Sequence, residues 1–180
     1  MNTKKIVITG GPGTGKSSII HQLQKMGYSC LEEISRQVTL QAREDGVEQM
    51  FLTQPLLFSE RLLNGRVAQF NEANLSVEPY IFLDRGVHDV LAYMDFIGDE
   101  YPQTFTNVCE SLVYDHVFIL KPWKEIYKSD AVRYESFEEA LKIHDCLVNM
   151  YERFNYTLID VPFDTVENRA DYILKEIKSL

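Results

Sequence analysis

"TGGPGTGKSS", residues 9–18, packs four glycines and one lysine into ten positions directly after the apolar run "KIVI". Residues 10–17 fit the pattern G-x-x-x-x-G-K-[ST], and the flanks supply the context that pattern needs. "KKIVITG" (4–10) reads as a strand. "KSSIIHQLQKMG" (16–27) places Ile19, Ile20, Leu23 and Met26 on one face of a helix that Gly27 stops. A glycine-rich turn between strand and helix lets successive backbone N–H groups converge where a Cβ would obstruct them. The helix aims the positive end of its dipole at the same point. This stretch is therefore expected to cradle phosphate. Gly11, Pro12, Gly13, Thr14, Gly15, Lys16, Ser17 and Ser18 are the candidate nucleotide-binding residues. Lys16 can reach the β- and γ-phosphates, and the Ser17 hydroxyl is a candidate ligand for Mg²⁺.

Outward from this loop, strand-like and helix-like runs alternate. "YSCLEE" (28–33) reads as a short second strand, and "ISRQVTLQAREDG" (34–46) repeats Ile34, Val38 and Ala42 at helical spacing. Pro55 opens a longer helix carrying Leu56, Leu63, Val67 and Phe70. "PYIFLDR" (79–85) is a continuous apolar run, as a strand buried on both faces requires. A mostly helical stretch from about 89 to 112 breaks near "GDEYP". "DHVFILKP" (115–122) and "YTLIDVP" (156–162) are the fourth and fifth strands. Between them, "SFEE" (136–139) is a capping box that opens a helix, and "DTVE" starts a closing helix with Val166, Ala170, Ile173 and Ile177. Five apolar strands alternating with helices predict one α/β domain over residues 1–180, with a five-stranded parallel sheet covered on both faces. Ligands are expected at the carboxyl ends of its strands.

The chain has 180 residues, a formal net charge of −9 and 45% hydrophobic residues. Such an acidic protein is a poor non-specific partner for nucleic acid or an anionic membrane. No segment approaches the ~18 apolar residues needed to span a bilayer, and the N-terminus lacks a signal-peptide pattern. Cys30, Cys109 and Cys146 are far apart and form no CxxC pair, as expected for free thiols in the cytoplasm.

The carboxylate at the tip of the third strand, Asp84, is the candidate second anchor for Mg²⁺. Hydrolytic motors commonly follow that position with a glutamate that activates water. Here Arg85 follows, which favours transfer to an acceptor over hydrolysis; the plainer alternative is a salt-linked turn. Glu33 and Arg36 sit where the second strand hands over to its helix, on the same rim. Glu33 is a candidate base for an acceptor hydroxyl, while Arg36 and Arg85 are candidates to hold an anionic group. The segment 121–135, rich in lysine and aromatics, suits a lid, from which Arg133 would neutralise charge in the transition state ahead of Lys124 or Lys128. His88 and Asp89 are candidates to face the acceptor pocket, with a surface or core role the plainer expectation; Arg61 and Arg66 are candidates to help the acceptor site, with a solvated helix face the plainer expectation. No guanine-reading NKxD pattern closes the last strands, so ATP is expected over GTP.

"GGPGTGKSS", "EEISR", "FLDRG" and "ILKPWKEIYKSDAVRYESFEEA" together resemble the AAA-labelled P-loop proteins grouped with the NadR-type ribosylnicotinamide kinase domain. Glu33–Arg36 is similar to the E-x-A-R that follows the second strand in those kinases. Asp130 and Arg133 have the spacing of their lid motif D-G-x-R, with Ala131 at the glycine position. The resemblance implies a P-loop NTPase three-layer α/β/α sandwich with kinase-like strand order 2-3-1-4-5. The expected function is Mg-ATP-dependent phosphoryl transfer to an unidentified small-molecule, nucleoside or nucleotide acceptor, by a monomer or homodimer. A nucleotide-dependent switch or a slow ATPase is the alternative.

Overall fold

Successive side chains of a strand point to opposite faces, so an apolar run buried on both sides must be covered by two layers of helices. The computed structural model describes residues 3–127 and 135–180 and shows this arrangement. Strands β1 (Lys4–Gly10), β2 (Ser29–Leu31), β3 (Tyr80–Asp84), β4 (His116–Leu120) and β5 (Leu158–Val161) form a parallel sheet in the order β2-β3-β1-β4-β5. The helices are α1 (Lys16–Lys25), α2 (Ser35–Glu44), α3 (Met50–Thr53), α4 (Pro55–Leu75), α5 (Val87–Ile97), α6 (Gln103–Ser111), α7 (Phe137–Arg153) and α8 (Val166–Ser179). The α/β/α layering and strand order implied by the sequence resemblance are therefore present. Helix α3 has no counterpart among the sequence-based expectations, because four residues are too short to display a helical period.

Ile6 and Ile8 of β1, Phe82 of β3 and Phe118 of β4 pack against Ile19, Ile20 and Leu23 of α1 and Ala170, Ile173 and Ile177 of α8. On the other face, Val7, Leu83, Val117 and Ile119 meet Leu63 and Phe70 of α4, Val90 and Leu91 of α5, and Leu147 and Tyr151 of α7. Each fully buried aliphatic side chain contributes about 1.5–3 kcal/mol relative to exposure, so these faces dominate the stability of the layers. The local signals at helix starts also hold. Ser136 caps α7, its hydroxyl accepting from the Glu139 N–H while the Glu139 carboxylate accepts from the Ser136 N–H at 2.7 Å. Thr165 caps α8 by accepting from the Asn168 N–H. No helix among the described residues is long and apolar enough to cross a membrane.

The register positions the functional rim. Ile8 lies opposite Asp84, and Gly10 lies opposite Leu120. The carboxyl ends of β3, β1 and β4 therefore finish side by side. Asp84, the glycine-rich loop and the segment after Leu120 emerge together.

Candidate active site

The loop between β1 and α1 is shaped by close backbone approach. A Cβ at Gly10 would stand 2.6 Å from the Leu120 carbonyl of β4, and its φ of +150° strains any other residue. Gly15 has φ +90°, and a Cβ there would stand 2.9 Å from the Arg169 guanidinium. Gly15 precedes α1 without any side-chain cap, which leaves the first turn of that helix free to meet an anion. The Thr14 hydroxyl donates to the Gly11 carbonyl at 3.0 Å, and Lys16 Nζ donates to the same oxygen at 2.8 Å. Lys16 is only 7% exposed. Burial first, and the Arg85 charge second, push its ammonium down to about 7, against the pull of Asp84, Glu33 and Asp89.

Across the cleft, the carboxylate of Glu33 is the hub of an ionic network. One oxygen accepts from the Ile34 and Ser35 N–H groups at 2.9 and 3.0 Å and from Arg66 Nη2 at 2.9 Å. The other meets Arg85 Nε at 2.5 Å. Burial alone would raise the carboxyl, but Arg66, Arg85 and the Ser35 amide together hold it at about 2. Arg85 also donates from Nη1 to the Gly10 carbonyl at 3.2 Å and to Asp89 at 3.3 Å. It does so from a left-handed backbone, φ +77°, which costs a non-glycine residue about 1–3 kcal/mol. Asp89 is buried and fully engaged, accepting from Thr9 Oγ1 at 2.5 Å, Gly86 N at 2.9 Å and Tyr151 Oη at 2.6 Å. Arg66, 3% exposed, closes the network by donating from Nη1 to the Asp84 carbonyl at 3.1 Å.

One carboxylate oxygen stands apart. Asp84 Oδ1 is buried and has no hydrogen-bond partner among the described residues. Burial raises its carboxyl despite the opposing Lys16 and Arg85 charges. An orphaned carboxylate oxygen beside a phosphate cradle suits a hydrated Mg²⁺, which binds through few protein oxygens and keeps its waters. Pro12, Gly13, Thr14, Gly15, Lys16, Ser17, Ser18, Glu33, Asp84 and Arg85 line one cleft of about 260 Å³. That is room for a phosphate chain at the loop, and the residues present fit both Mg²⁺ and the phosphates of ATP. A larger cavity of about 610 Å³ lies at the opposite end of the sheet, bordered by the starts of β4 and β5.

The structure thus brings Lys16, Ser17, Glu33, Asp84 and Arg85 together. It leaves Arg36 exposed on the first turn of α2, without an ion pair among the described residues. Arg133, together with Lys128, Asp130 and Ala131, lies outside the described residues; Lys124 is exposed in the turn after β4. Arg66 corrects the expectation of a solvated face, because it occupies the buried stripe Ser59, Leu63, Arg66, Phe70, Ala73 of α4. Arg61 does behave as expected, pairing with Asp45 at the surface at 2.8 Å. His88 is fully buried among Tyr114, Tyr151, Phe154 and Tyr156, and burial first pushes its imidazole down to about 4. Asp89 anchors Arg85, a core role beside the site, and one participant escapes the motif reading altogether: Arg169, whose Nη2 donates to the Thr14 carbonyl at 2.9 Å. For Arg66 and Arg169 the available signal was an arginine on the apolar stripe of a helix.

A parallel sheet in the order 2-3-1-4-5, with a phosphate-binding loop after its central strand, defines the kinase-type P-loop fold. The chain belongs to the AAA domain family, which matches residues 5–169. Among solved structures it is similar to deoxyadenosine kinase from M. mycoides with dCMP and dCDP, with a TM-score of 0.68 and 19% identity over 98% of this chain and 100% of that one. It is also similar to the NadR protein in complex with NR, with a TM-score of 0.75 and 14% identity over 98% of this chain but 50% of that one. Thymidylate kinase from Candida albicans gives a TM-score of 0.65 and 18% identity over 99% and 92%. No curated protein matches the chain in sequence. At these identities the likeness is one of fold.

Proposed function

We propose that the protein is a Mg-ATP-dependent kinase that phosphorylates the hydroxyl of a small, uncharged acceptor of the nucleoside or riboside class. The observation that carries this reading is the single cleft in which the phosphate loop faces the Glu33–Arg85 pair. Mg-ATP, when bound, supplies the γ-phosphoryl group and the metal's positive charge. Gly11 to Ser18 hold the phosphates, with Lys16 leaving the Gly11 carbonyl for them. Ser17 and Asp84 would hold the metal. Phosphoryl transfer depends mainly on alignment and charge, so the remaining residues need only position the acceptor and exclude water.

Glu33 is the group that meets the acceptor hydroxyl. At about 2 its carboxyl is ionised at neutral pH and is a weak base. Its part is to accept a hydrogen bond from the hydroxyl and fix the attacking oxygen; the new O–P bond would form as the bond to the ADP oxygen breaks, and the hydroxyl proton would pass late to the Glu33 carboxylate and from there to solvent. The acceptor's charge follows from the same network. Arg66 and Arg85 are already matched by Glu33 and Asp89, so a phosphorylated acceptor beside Arg85 would meet the Glu33 and Asp84 carboxylates and a guanidinium that already has its counter-ions. Arg36, at the rim, is the residue that would hold an acceptor's phosphate if one were used. Arg133 is assigned to the closing segment as the charge that stabilises the transferring group. Three unpaired cysteines accord with work in the cytoplasm.

The test is ADP release from Mg-ATP, screened against nucleosides, ribosides and their monophosphates. A neutral member should accelerate release saturably, over a basal rate on the order of 1 s⁻¹ or less. Rapid hydrolysis that no acceptor accelerates would instead mark a hydrolase or switch.

A further inference from the structure

We infer that Arg169, on the closing helix α8, is a positioning residue for the nucleotide: it orients the phosphate loop and couples the loop to Trp123. The inference rests on the nucleotide-binding reading above.

Arg169 is 2% exposed, yet it forms no ion pair among the described residues, and its Nε is buried without a hydrogen-bond partner. A buried cation without a counter-ion is costly unless a negative group completes the site. The guanidinium stands against Thr14 and Gly15, at the wall of the cradle. A polyphosphate seated in the loop is the negative charge this arrangement lacks.

Its geometry does more than supply charge. Nη2 donates to the Thr14 carbonyl at 2.9 Å. In a trans peptide the carbonyl and the following N–H point in opposite directions. Holding the Thr14 oxygen toward α8 therefore turns the Gly15 N–H away from α8, into the loop. Arg85 does the same at the other end of the loop, holding the Gly10 carbonyl at 3.2 Å and thereby setting the Gly11 N–H. Two peptide planes of the cradle are thus fixed by arginines from outside it. Gly15 is required partly for this reason, since a Cβ would collide with Arg169.

The guanidinium carbon also lies 5.9 Å from the centre of the Trp123 ring, and Trp123 stacks on Phe163 at 5.1 Å. Ile126, one turn beyond Trp123, lies 3.8 Å from the Cβ position at Gly15. The segment leaving β4 therefore touches the phosphate loop through Arg169 and Ile126. Charge arriving in the loop reaches Trp123, the chain's single tryptophan, through this contact.

The test uses ADP as the probe, with Mg²⁺ present, on the full chain and on Arg169→Met and Arg169→Lys. Affinity is measured by calorimetry, folding by the thermal midpoint, and coupling by Trp123 emission. The expected result is at least a tenfold loss of ADP affinity in the methionine variant and a loss of 3- to 10-fold in the lysine variant, which keeps the charge but not the fork. Neither variant should show the emission change that ADP causes in the wild type. If the methionine variant does not fold, the lysine variant decides alone. ADP binding within twofold of wild type in a folded variant overturns the inference, as does a lysine variant no better than methionine. A wild type that fails to bind ADP overturns the nucleotide reading itself, an outcome distinct from unchanged binding in the variants.

Discussion

The two walls of the cleft are built on opposite electrostatic plans. The donor wall is backbone: glycine conformations, an uncapped helix start and one lysine whose ammonium rests on a carbonyl. The wall proposed to meet the acceptor is side chain: Glu33, Arg66, Arg85 and Asp89 joined by contacts between 2.5 and 3.3 Å. A donor of fixed, highly charged shape can be met by amides and left to bring its own metal. An acceptor hydroxyl carries no charge to orient it, so the protein must hold a charged acceptor of hydrogen bonds rigidly in place. On the proposed reading, the difference predicts that function and stability separate on the donor side and not on the acceptor side.

Glu33→Gln puts the largest strain on that comparison. Removing the charge leaves Arg66 and Arg85 without their shared partner, which costs about 3 kcal/mol, toward the low end for buried pairs because Glu33 keeps some solvent contact. Acceptor-dependent turnover should fall on the order of 10³-fold, within the range for acid–base and positioning groups. ATP affinity should change less than about threefold. Denaturant unfolding, steady-state kinetics and calorimetry on one preparation check all three.

Lys16→Met is the counterpart on the donor wall. ATP affinity should drop on the order of 10²-fold, because charge-assisted contacts to phosphate disappear. Stability should hold or rise, since an apolar chain of similar length replaces a buried ammonium. A thermal midpoint that falls with the affinity would erase the proposed contrast between the walls.

The two walls also differ in their pH windows. The folded Lys16 ammonium releases its proton near 7, whereas the unfolded chain holds it to about 10.5. The unfolded state therefore binds more protons between those values, and stability gains from this group as pH rises through that window. Bound triphosphate favours the protonated form, so ATP binding at pH 8 should take up a proton and weaken as pH rises. Calorimetry in two buffers of different ionisation heat measures that uptake, which Lys16→Met should abolish. Glu33 acts in acid: its folded value near 2 against an ordinary 4.5 gives stability that is complete above 4.5 and lost as pH falls toward 2. His88, held near 4 against an ordinary 6.5, begins that acid loss earlier, as pH falls through 6.5. Acid unfolding should be shallower between 4.5 and 2 in Glu33→Gln than in the wild type.

The smallest effect belongs to Arg61→Ala. Its surface pair with Asp45 is solvent-screened, so neither the thermal midpoint nor turnover should change measurably. Arg66→Ala, five residues further along α4, should instead destabilise by about 3–5 kcal/mol and impair turnover, because Glu33 is left half-paired. Equal effects for the two arginines would mean that burial of Arg66 has no energetic consequence.

These two arginines also show where sequence reading reaches its limit. The glycine-rich loop was legible because its motif is local: strand, turn and helix are contiguous, even though the neighbours that demand Gly10 and Gly15 lie in β4 and on α8. The five strands, the Ser136 cap and the Thr165 start were legible for the same reason. Arg66 was not, because α4 carries apolar residues around much of its circumference and the stripe that includes Arg66 competes with others. The Glu33 hub was legible only as a residue, since its partners come from α4 and from the end of β3. Arg169 lies 155 positions from the carbonyl it holds, and only the tertiary packing of α8 against α1 brings the two together.

The most direct measurement follows the γ-phosphate itself. The protein is incubated with Mg-ATP labelled at the γ position and with paired acceptors, each nucleoside or riboside beside its monophosphate. Label should appear on the hydroxyl of an uncharged acceptor, with its monophosphate at least about 100-fold slower, in line with the several kcal/mol that like-charge juxtaposition costs. The transfer should fall on the order of 10³-fold in Glu33→Gln while ATP still binds. Label found only in free phosphate, or carried preferentially by a phosphorylated acceptor, would contradict the assignment of the Glu33–Arg85 wall to a neutral hydroxyl.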